Sequence, residues 1–290
     1  MTDSHSGRGE KLRLGGMALR NGLLVHGPTH WAAAVRTADG EVKVASGAKP
    51  RLAPGVLERV PGVRGVAKLT EAIAVIPLVK RALPEAKLPM QDPRTLAAMG
   101  AVSLTAHAIR RPGMARTAGR EAAVALLSVT PALLALRQGE LASWHGVEHK
   151  SIAAYEQDAE VEAAAKEHDR CGSHLVAPML STTVAGTVAA RKAGLKGPMV
   201  DGAIALGSMA VAVEVFGWSE RHSGSALARA LRRPGHELQR AVGTREPDEG
   251  QLEVGRLAMA EILRVEGAEA NGREEGRGEE GVVGEEGGAR

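Results

Sequence analysis

Apolar residues in the first fifty positions fall in short blocks. Leu23-Leu24-Val25 and Trp31 to Val35 are continuous, while Val42 and Val44 alternate with polar neighbours. Ala38-Asp39-Gly40 separates the last two blocks as a turn. Short apolar runs bounded by turn residues predict strands, hence a small β-rich unit over residues 12–55. Gly15, Gly16, Gly22 and Gly27-Pro28 punctuate it, and no helical pattern follows them. They suit tight turns rather than a dinucleotide cradle.

From Val56 to Leu83 the spacing turns helical, with Pro61 and Pro77 as breaks and Arg59, Arg64, Lys68, Lys80 and Arg81 along it. Residues 56–93 are therefore predicted to form an amphipathic helical segment lying on a core or a bilayer surface. Four stretches poor in charge follow: Thr95 to Ile109, Ala122 to Leu136, Cys171 to Ala190 and, allowing for Asp201, Gly197 to Val213. Only the third is long enough to reach the ~30 Å of a bilayer core at ~1.5 Å per residue. The shorter runs need Arg94, Arg110, Glu121 and Arg137 to snorkel. Small residues, as in Ala185-Gly186 and Gly202 to Ser208, let transmembrane helices approach closely, and an Ala-rich soluble bundle has the same composition. The fold class expected is mostly α. A helical bundle over 94–218, carrying a loop at 138–171, leads into a basic helical region over 219–265.

Beyond Trp218 that region holds Arg221, Arg229, Arg232, Arg233, Arg240 and Arg245, suited to anionic lipid or to a solvated helix face. A last helix is predicted from near Pro247, since Pro followed by Asp248 and Glu249 is a helix-start signal. The net charge of +3 hides an asymmetry. Glu266 to Arg290 carries eight Glu against Arg273, Arg277 and Arg290, a net of −5, leaving +8 on the rest. Rich in Gly and Glu and nearly devoid of apolar residues, residues 266–290 are expected to be a disordered acidic tail. Residues 1–11 are expected to be disordered too. They lack the apolar stretch of a signal peptide, which points to a cytoplasmic N-terminus. With five aromatics (Trp31, Trp144, Trp218, Tyr155, Phe216), the chain has no stacking platform for nucleic acid. Its single cysteine, Cys171, excludes an intramolecular disulfide.

The chemistry lies between the second and third apolar runs. In Trp144-His145-Gly146-Val147-Glu148-His149-Lys150 two histidines four apart and a carboxylate share one helix face. Two neutral imidazoles one turn apart can bind one zinc, and the intervening Glu148 can act as general base. Further on, His168-Asp169-Arg170-Cys171-Gly172-Ser173-His174 offers His168 and Cys171 at i, i+3. Imidazole with thiolate suits zinc. His145, His149, His168 and Cys171 would close a structural tetrahedral site, whereas three of them would leave a catalytic open position. Cys171 as a buried small hydrophobe and His168 as a surface histidine are the plain alternatives. A zinc deaminase is excluded, because its signature needs paired cysteines.

The chain resembles the YqhQ-like family of bacterial membrane proteins, a family of unknown function sometimes described as metal-dependent enzymes. The resemblance runs through Gly15-Gly16-Met17-Ala18, Pro61 to Val66, His145 to Lys150 with Tyr155-Glu156, and His168 to Gly172. It continues in Ala212-Val213-Glu214, Thr244-Arg245-Glu246-Pro247-Asp248 and Gln251 to Val254. Asn21, Asp169 and His174 depart from the family pattern. The resemblance implies four transmembrane helices, both termini in the cytoplasm of a bacterial cell membrane, and the His-Glu-His block on the cytoplasmic side. Against it, Arg110, Arg111, Arg116 and Arg120 would lie outside. Glu214, a carboxylate near the end of the fourth apolar run, is a further candidate ligand or a partner for an arginine. Arg170, Arg245, Glu246 and Asp248 complete the candidates, the last three fitting equally a capped helix start. Two functions follow: a zinc-dependent membrane hydrolase, or a scaffold with a structural metal site that engages lipid headgroups and a protein partner.

Overall fold

The computed structural model describes residues 11–51, 63–111, 117–137 and 139–282. Strands β1 (Gly15–Leu19), β2 (Gly22–His26), β3 (His30–Arg36) and β4 (Val42–Ala48) form one antiparallel sheet in the order of the chain. Leu23 pairs with Ala34 and Leu24 with Ala33, and Gly40 takes φ +89° in the turn before β4. The continuous apolar runs of β2 and β3 arise because both faces of the sheet are covered. Leu23, Val25, Ala32 and Ala34 pack on helices α5 (Leu141–Gln157) and α9 (Glu249–Val282). Leu19, Leu24, Trp31, Ala33 and Val35 pack on Val75, Val79 and Leu83 at the end of helix α1 (Val63–Ala82). The apolar stripe of α1 thus serves the core.

Pro77 does not break α1 as the sequence suggested; the helix continues through it to Ala82. Lys80 Nζ then donates to the carbonyls of Pro84 and Ala86, tying the helix to the loop that follows it. Asn21, buried in the β1–β2 turn, donates to the carbonyls of Arg36 and Glu85 and accepts from the Lys87 N–H, tying the sheet to the segment after α1.

The remaining helices are α2 (Pro93–Ile109), α3 (Ala118–Ser128), α4 (Thr130–Arg137), α6 (Val176–Lys192), α7 (Pro198–Arg221) and α8 (Ala226–Leu238). Neighbouring helices α2, α3, α4, α6 and α7 form a second layer. Its polarity is inverted. The residues it buries are small or polar in α2, α6 and α7 (Thr95, Thr187, Ser208, Ala212, Ser219), whereas Leu96, Leu104, Leu126, Met199 and Leu206 are exposed.

Two stretches are long and apolar enough to cross a membrane, Ala118–Arg137 (α3 with α4) and Pro198–Arg221 (α7). These are the second and fourth runs of the sequence, lengthened by their flanks. The third run, the longest by sequence, loses its first residues to a 3-10 turn at Gly172–Leu175, so α6 has 17 residues.

At the ends of the chain, residues 1–10 lie outside the described residues, while Lys11 donates to the carbonyl of Tyr155 and pairs with Asp158. Glu266, the first residue of the expected acidic tail, belongs to the fold: it is buried and accepts from the N–H groups of Thr29 and His30 and from the Thr29 hydroxyl. The α9 backbone continues to Val282, and residues 283–290 lie outside the described residues.

Candidate metal centre

Helix α5 carries the His145-x-x-Glu148-His149 block. Leu141, Trp144, Val147 and Ile152 form its apolar stripe against the sheet and α9, which turns the adjoining face, with His145, Glu148 and His149, toward the 3-10 turn after Cys171. Gly146 sits where a Cβ would stand 2.2 Å from the Arg245 carbonyl oxygen. Only glycine lets residues 243–247 close on this helix, where the Arg245 N–H donates to the Ala142 carbonyl at 2.9 Å. The same approach brings the Gly243 carbonyl within 2.8 Å of His145 Nδ1.

Cys171 caps the 3-10 turn, its Sγ accepting from the Ser173 N–H and lying 3.5 Å from His145 Nε2. Its loop is held by Gln239, which is fully buried. The Gln239 side chain accepts from the His168 N–H at 2.8 Å and donates to the His168 carbonyl at 3.1 Å and the Ser173 hydroxyl at 2.8 Å. Gln239 opens a five-residue π turn, Gln239–Gly243, and Gly243 closes it. One irregular turn therefore grips the Cys171 loop with its first residue and His145 with its last, a placement common for π turns beside functional groups.

Ligand atoms of His145, His149 and Cys171 lie within 4.8 Å of one another. His149 Nδ1 donates to the Lys166 carbonyl at 2.6 Å, as His145 Nδ1 does to Gly243. Each ring thus has its Nδ1–H fixed by a backbone carbonyl, which leaves Nε2 as the nitrogen for a metal ion, the arrangement found behind metal-ligating histidines. Two imidazoles and a thiol can hold a metal ion, and the donor set fits zinc.

Electrostatics favour the same use. Burial, then the neighbouring His145, lower the pKa of His149 to about 2, despite the opposing hydrogen bond to Lys166, so it is a neutral ligand. At His145 burial works against the charge, yet the Cys171 hydrogen bond and the Glu148 carboxylate outweigh it and raise the pKa to about 9. Without a cation this imidazole holds a proton that a metal ion would replace. Glu148 is buried against β1, where a Cβ on Gly16 would meet its side chain at 2.6 Å. Burial raises its carboxyl pKa, with His145 and His168 opposing, and its Oε2 lies 3.8 Å from His145 Nε2.

Other candidates from the sequence have other partners. His168 stands outside the ligand group: its Nδ1 accepts from the Arg170 N–H and its Nε2 donates to Glu156 Oε2 at 3.2 Å, although its ring centroid is 5.6 Å from that of His149. Arg170 pairs with Glu156 and donates to the Leu14 carbonyl, stitching the chain before β1 to α5. Arg245 contributes its backbone, with its side chain exposed. Glu246 accepts from buried Lys150 at 3.0 Å. Asp248 and Gln251 form a reciprocal cap, the Asp248 carboxylate accepting from the Gln251 N–H and the Gln251 side chain from the Asp248 N–H. Glu214 is half-buried on α7, which continues past the apolar run to Arg221, and it lies outside the ligand group.

Sequence reasoning missed Gln239, the Gly243 and Lys166 carbonyls, and a cavity. The cavity, about 530 Å³, opens beside His145, Glu148 and Cys171 and extends between β1, α2 and α4. It also missed a group around buried His174, whose Nδ1 donates to the Arg232 carbonyl while Asp169 pairs with His236 and Arg232. Nothing in a lone glutamine or a backbone carbonyl distinguishes these positions in the sequence.

Residues 139–265 match the model of a family described as a protein of unknown function (DUF1385). The matched segment includes the three clustered ligands, Glu148 and the π turn. The YqhQ-like resemblance is compatible with this match. No curated protein matches the chain. No solved structure matches it either.

Proposed function

We propose that this protein is a zinc-dependent hydrolase of a bacterial membrane, with His145, His149 and Cys171 as ligands and Glu148 as general base. The observation that carries the reading is the convergence of three ligand atoms within 4.8 Å, next to a buried carboxylate and an open cavity. Three protein ligands leave a fourth position for substrate or water, the arrangement of catalytic rather than closed structural sites. With His168 engaged by Glu156, the catalytic reading is favoured over the scaffold.

The chemistry a bound zinc supplies is Lewis acidity toward a carbonyl and toward water. The chain does the rest. The Gly243 and Lys166 carbonyls keep both imidazoles in the ligating tautomer. Burial brings the Glu148 carboxylate toward the basicity at which it can take a proton from water and return it to a leaving group.

The inverted layer supports a seat in the bilayer, with α2, α3 and α4, α6 and α7 as a four-segment bundle and the sheet, α5 and both termini on the cytoplasmic side. In lipid, helices associate through small residues and expose large apolar ones, as these do. At 17 residues, α2 and α6 span roughly 25 Å and need local thinning or snorkelling arginines.

Metal analysis of the full chain purified from membranes tests the reading. One zinc per chain is expected, lost in Cys171→Ala and retained in Glu148→Gln with loss of hydrolysis. Metal-free protein would end the proposal, and full function in Glu148→Gln would return the site to a structural role.

A further inference from the structure

The cavity beside the cluster changes character along its length. At its inner end stand His145, Glu148 and Cys171, with Ser173 adding a hydroxyl. Its apolar walls include Met90, Met99, Pro131 and Leu136. Two of these walls are open to the outside, Met99 being 41% and Met90 66% exposed, whereas Glu148 is 7% exposed. Room is made by short side chains on one side, Ser128, Ala132 and Ala135 on successive turns of the α3–α4 stretch. That stretch is one of the two long enough to cross a membrane. On α2, Met99 at the rim is one turn from exposed Leu96, so the groove continues into the outer apolar surface of the helix layer.

We propose that this groove holds the acyl chain of a membrane amphiphile, entering between α2 and α4 from the lipid phase and presenting an ester or amide carbonyl to His145, Glu148 and Cys171. This names the substrate class of the hydrolase reading and rests on it. A soluble polar substrate would leave the methionine and alanine walls wet, whereas an alkyl chain removes them from water and is itself buried. In the reaction the acyl C–O or C–N bond breaks and water supplies the new C–O bond. One water proton passes through Glu148 to the departing alcohol or amine, and no oxidation state changes. Flexible thioethers at Met90 and Met99 suit chains of varying length.

The test uses the full chain in phosphatidylcholine nanodiscs with two zinc-ligating probes, acetohydroxamate and dodecanohydroxamate. The dodecyl probe is expected to bind about 100-fold more tightly or better, because each buried methylene adds a few-fold. Ala132→Trp and Ser128→Trp, both at exposed positions on the groove wall, should remove most of that gain. Zinc content and acetohydroxamate affinity should stay unchanged, which reports that the variants are folded. Equal affinity for the two probes, or a dodecyl affinity untouched by both tryptophans, overturns the groove while leaving the metal site standing.

If the protein binds no zinc, the hydrolase reading fails, and a palmitoyl amide with a photoreactive tail still tests the groove. Labelling of α2 and α4 that both tryptophans suppress supports it, and labelling they leave unchanged overturns it. Oleate release from dioleoyl-phosphatidylglycerol, abolished in Glu148→Gln, identifies a glycerolipid as source; palmitate release from N-palmitoyl-glycinamide identifies an acyl amine. Release from neither overturns the substrate class.

Discussion

Helices α5 and α7 are both Ala- and Gly-containing, yet α5 buries 12 of its 17 residues and α7 only three of its 24. In α5 the buried positions include Trp144, Val147, Ile152, Glu148 and His149, so one helix serves at once as core element and carrier of chemistry. In α7 the buried positions are Ser208, Ala212 and Ser219, with Met199 and Leu206 facing outward. The first packs into the core, while the second turns large apolar side chains outward. The buried face of α5 and the apolar helix layer meet at the cavity, and the cluster sits at that boundary.

The comparison can be broken in order of effect. Leu206→Lys, on the outer face of α7, should cost about 3 kcal/mol of insertion if that face meets lipid, against about 0.5 kcal/mol or less on a water-facing helix. Membrane recovery after a carbonate wash reads the difference. Gly146→Ala should destabilise by roughly 2–3 kcal/mol, because its Cβ has the Arg245 carbonyl in the way. Gly207→Ala on α7, where a Cβ meets nothing within 4 Å, should be neutral or stabilise by up to about 1 kcal/mol. Thermal unfolding of both variants makes the pair.

Acid should weaken the sheet through His26 on β2. Burial, then Lys49, lower its pKa to about 4. The unfolded chain takes up a proton near pH 6.5 and the folded chain does not, so stability falls as pH drops from 6.5 toward 4. The loss is about 2 kcal/mol at pH 5, to be read from melting curves of the chain and of His26→Asn, in which this component is absent. A smaller effect than these is expected on metal binding from Gln239→Ala, which unpins the His168 backbone and Ser173 and so loosens the Cys171 loop. A tenfold or somewhat greater loss of metal affinity, of the order seen for outer-shell partners, should follow with secondary structure kept.

Much of this was legible in the residues, for local reasons. Leu23 to Val25, Trp31 to Val35 and the turn at Gly40 encode the sheet, because strand pairing across short turns depends on adjacent sequence. The His145, Glu148 and His149 spacing encodes a shared helix face. What was hidden depends on distant chain segments meeting. The fourth ligand expected, His168, turns to Glu156 because Arg170 and Gln239 fix its loop. Apolar run length misjudged the long helices because Gly172 to Leu175 turns in a 3-10 helix and α7 extends through Glu214 to Arg221. Likewise Pro77 stays helical because the α1 stripe is held on the sheet.

The central claim is that His145, His149 and Cys171 hold one cation, and the reactivity of Cys171 tests it most directly. Iodoacetamide should modify Cys171 slowly in zinc-loaded protein, at least about tenfold faster after chelation, and as fast in His149→Ala with zinc present. A thiol alkylated at the same rate with and without zinc, in the folded full chain, would contradict the metal centre.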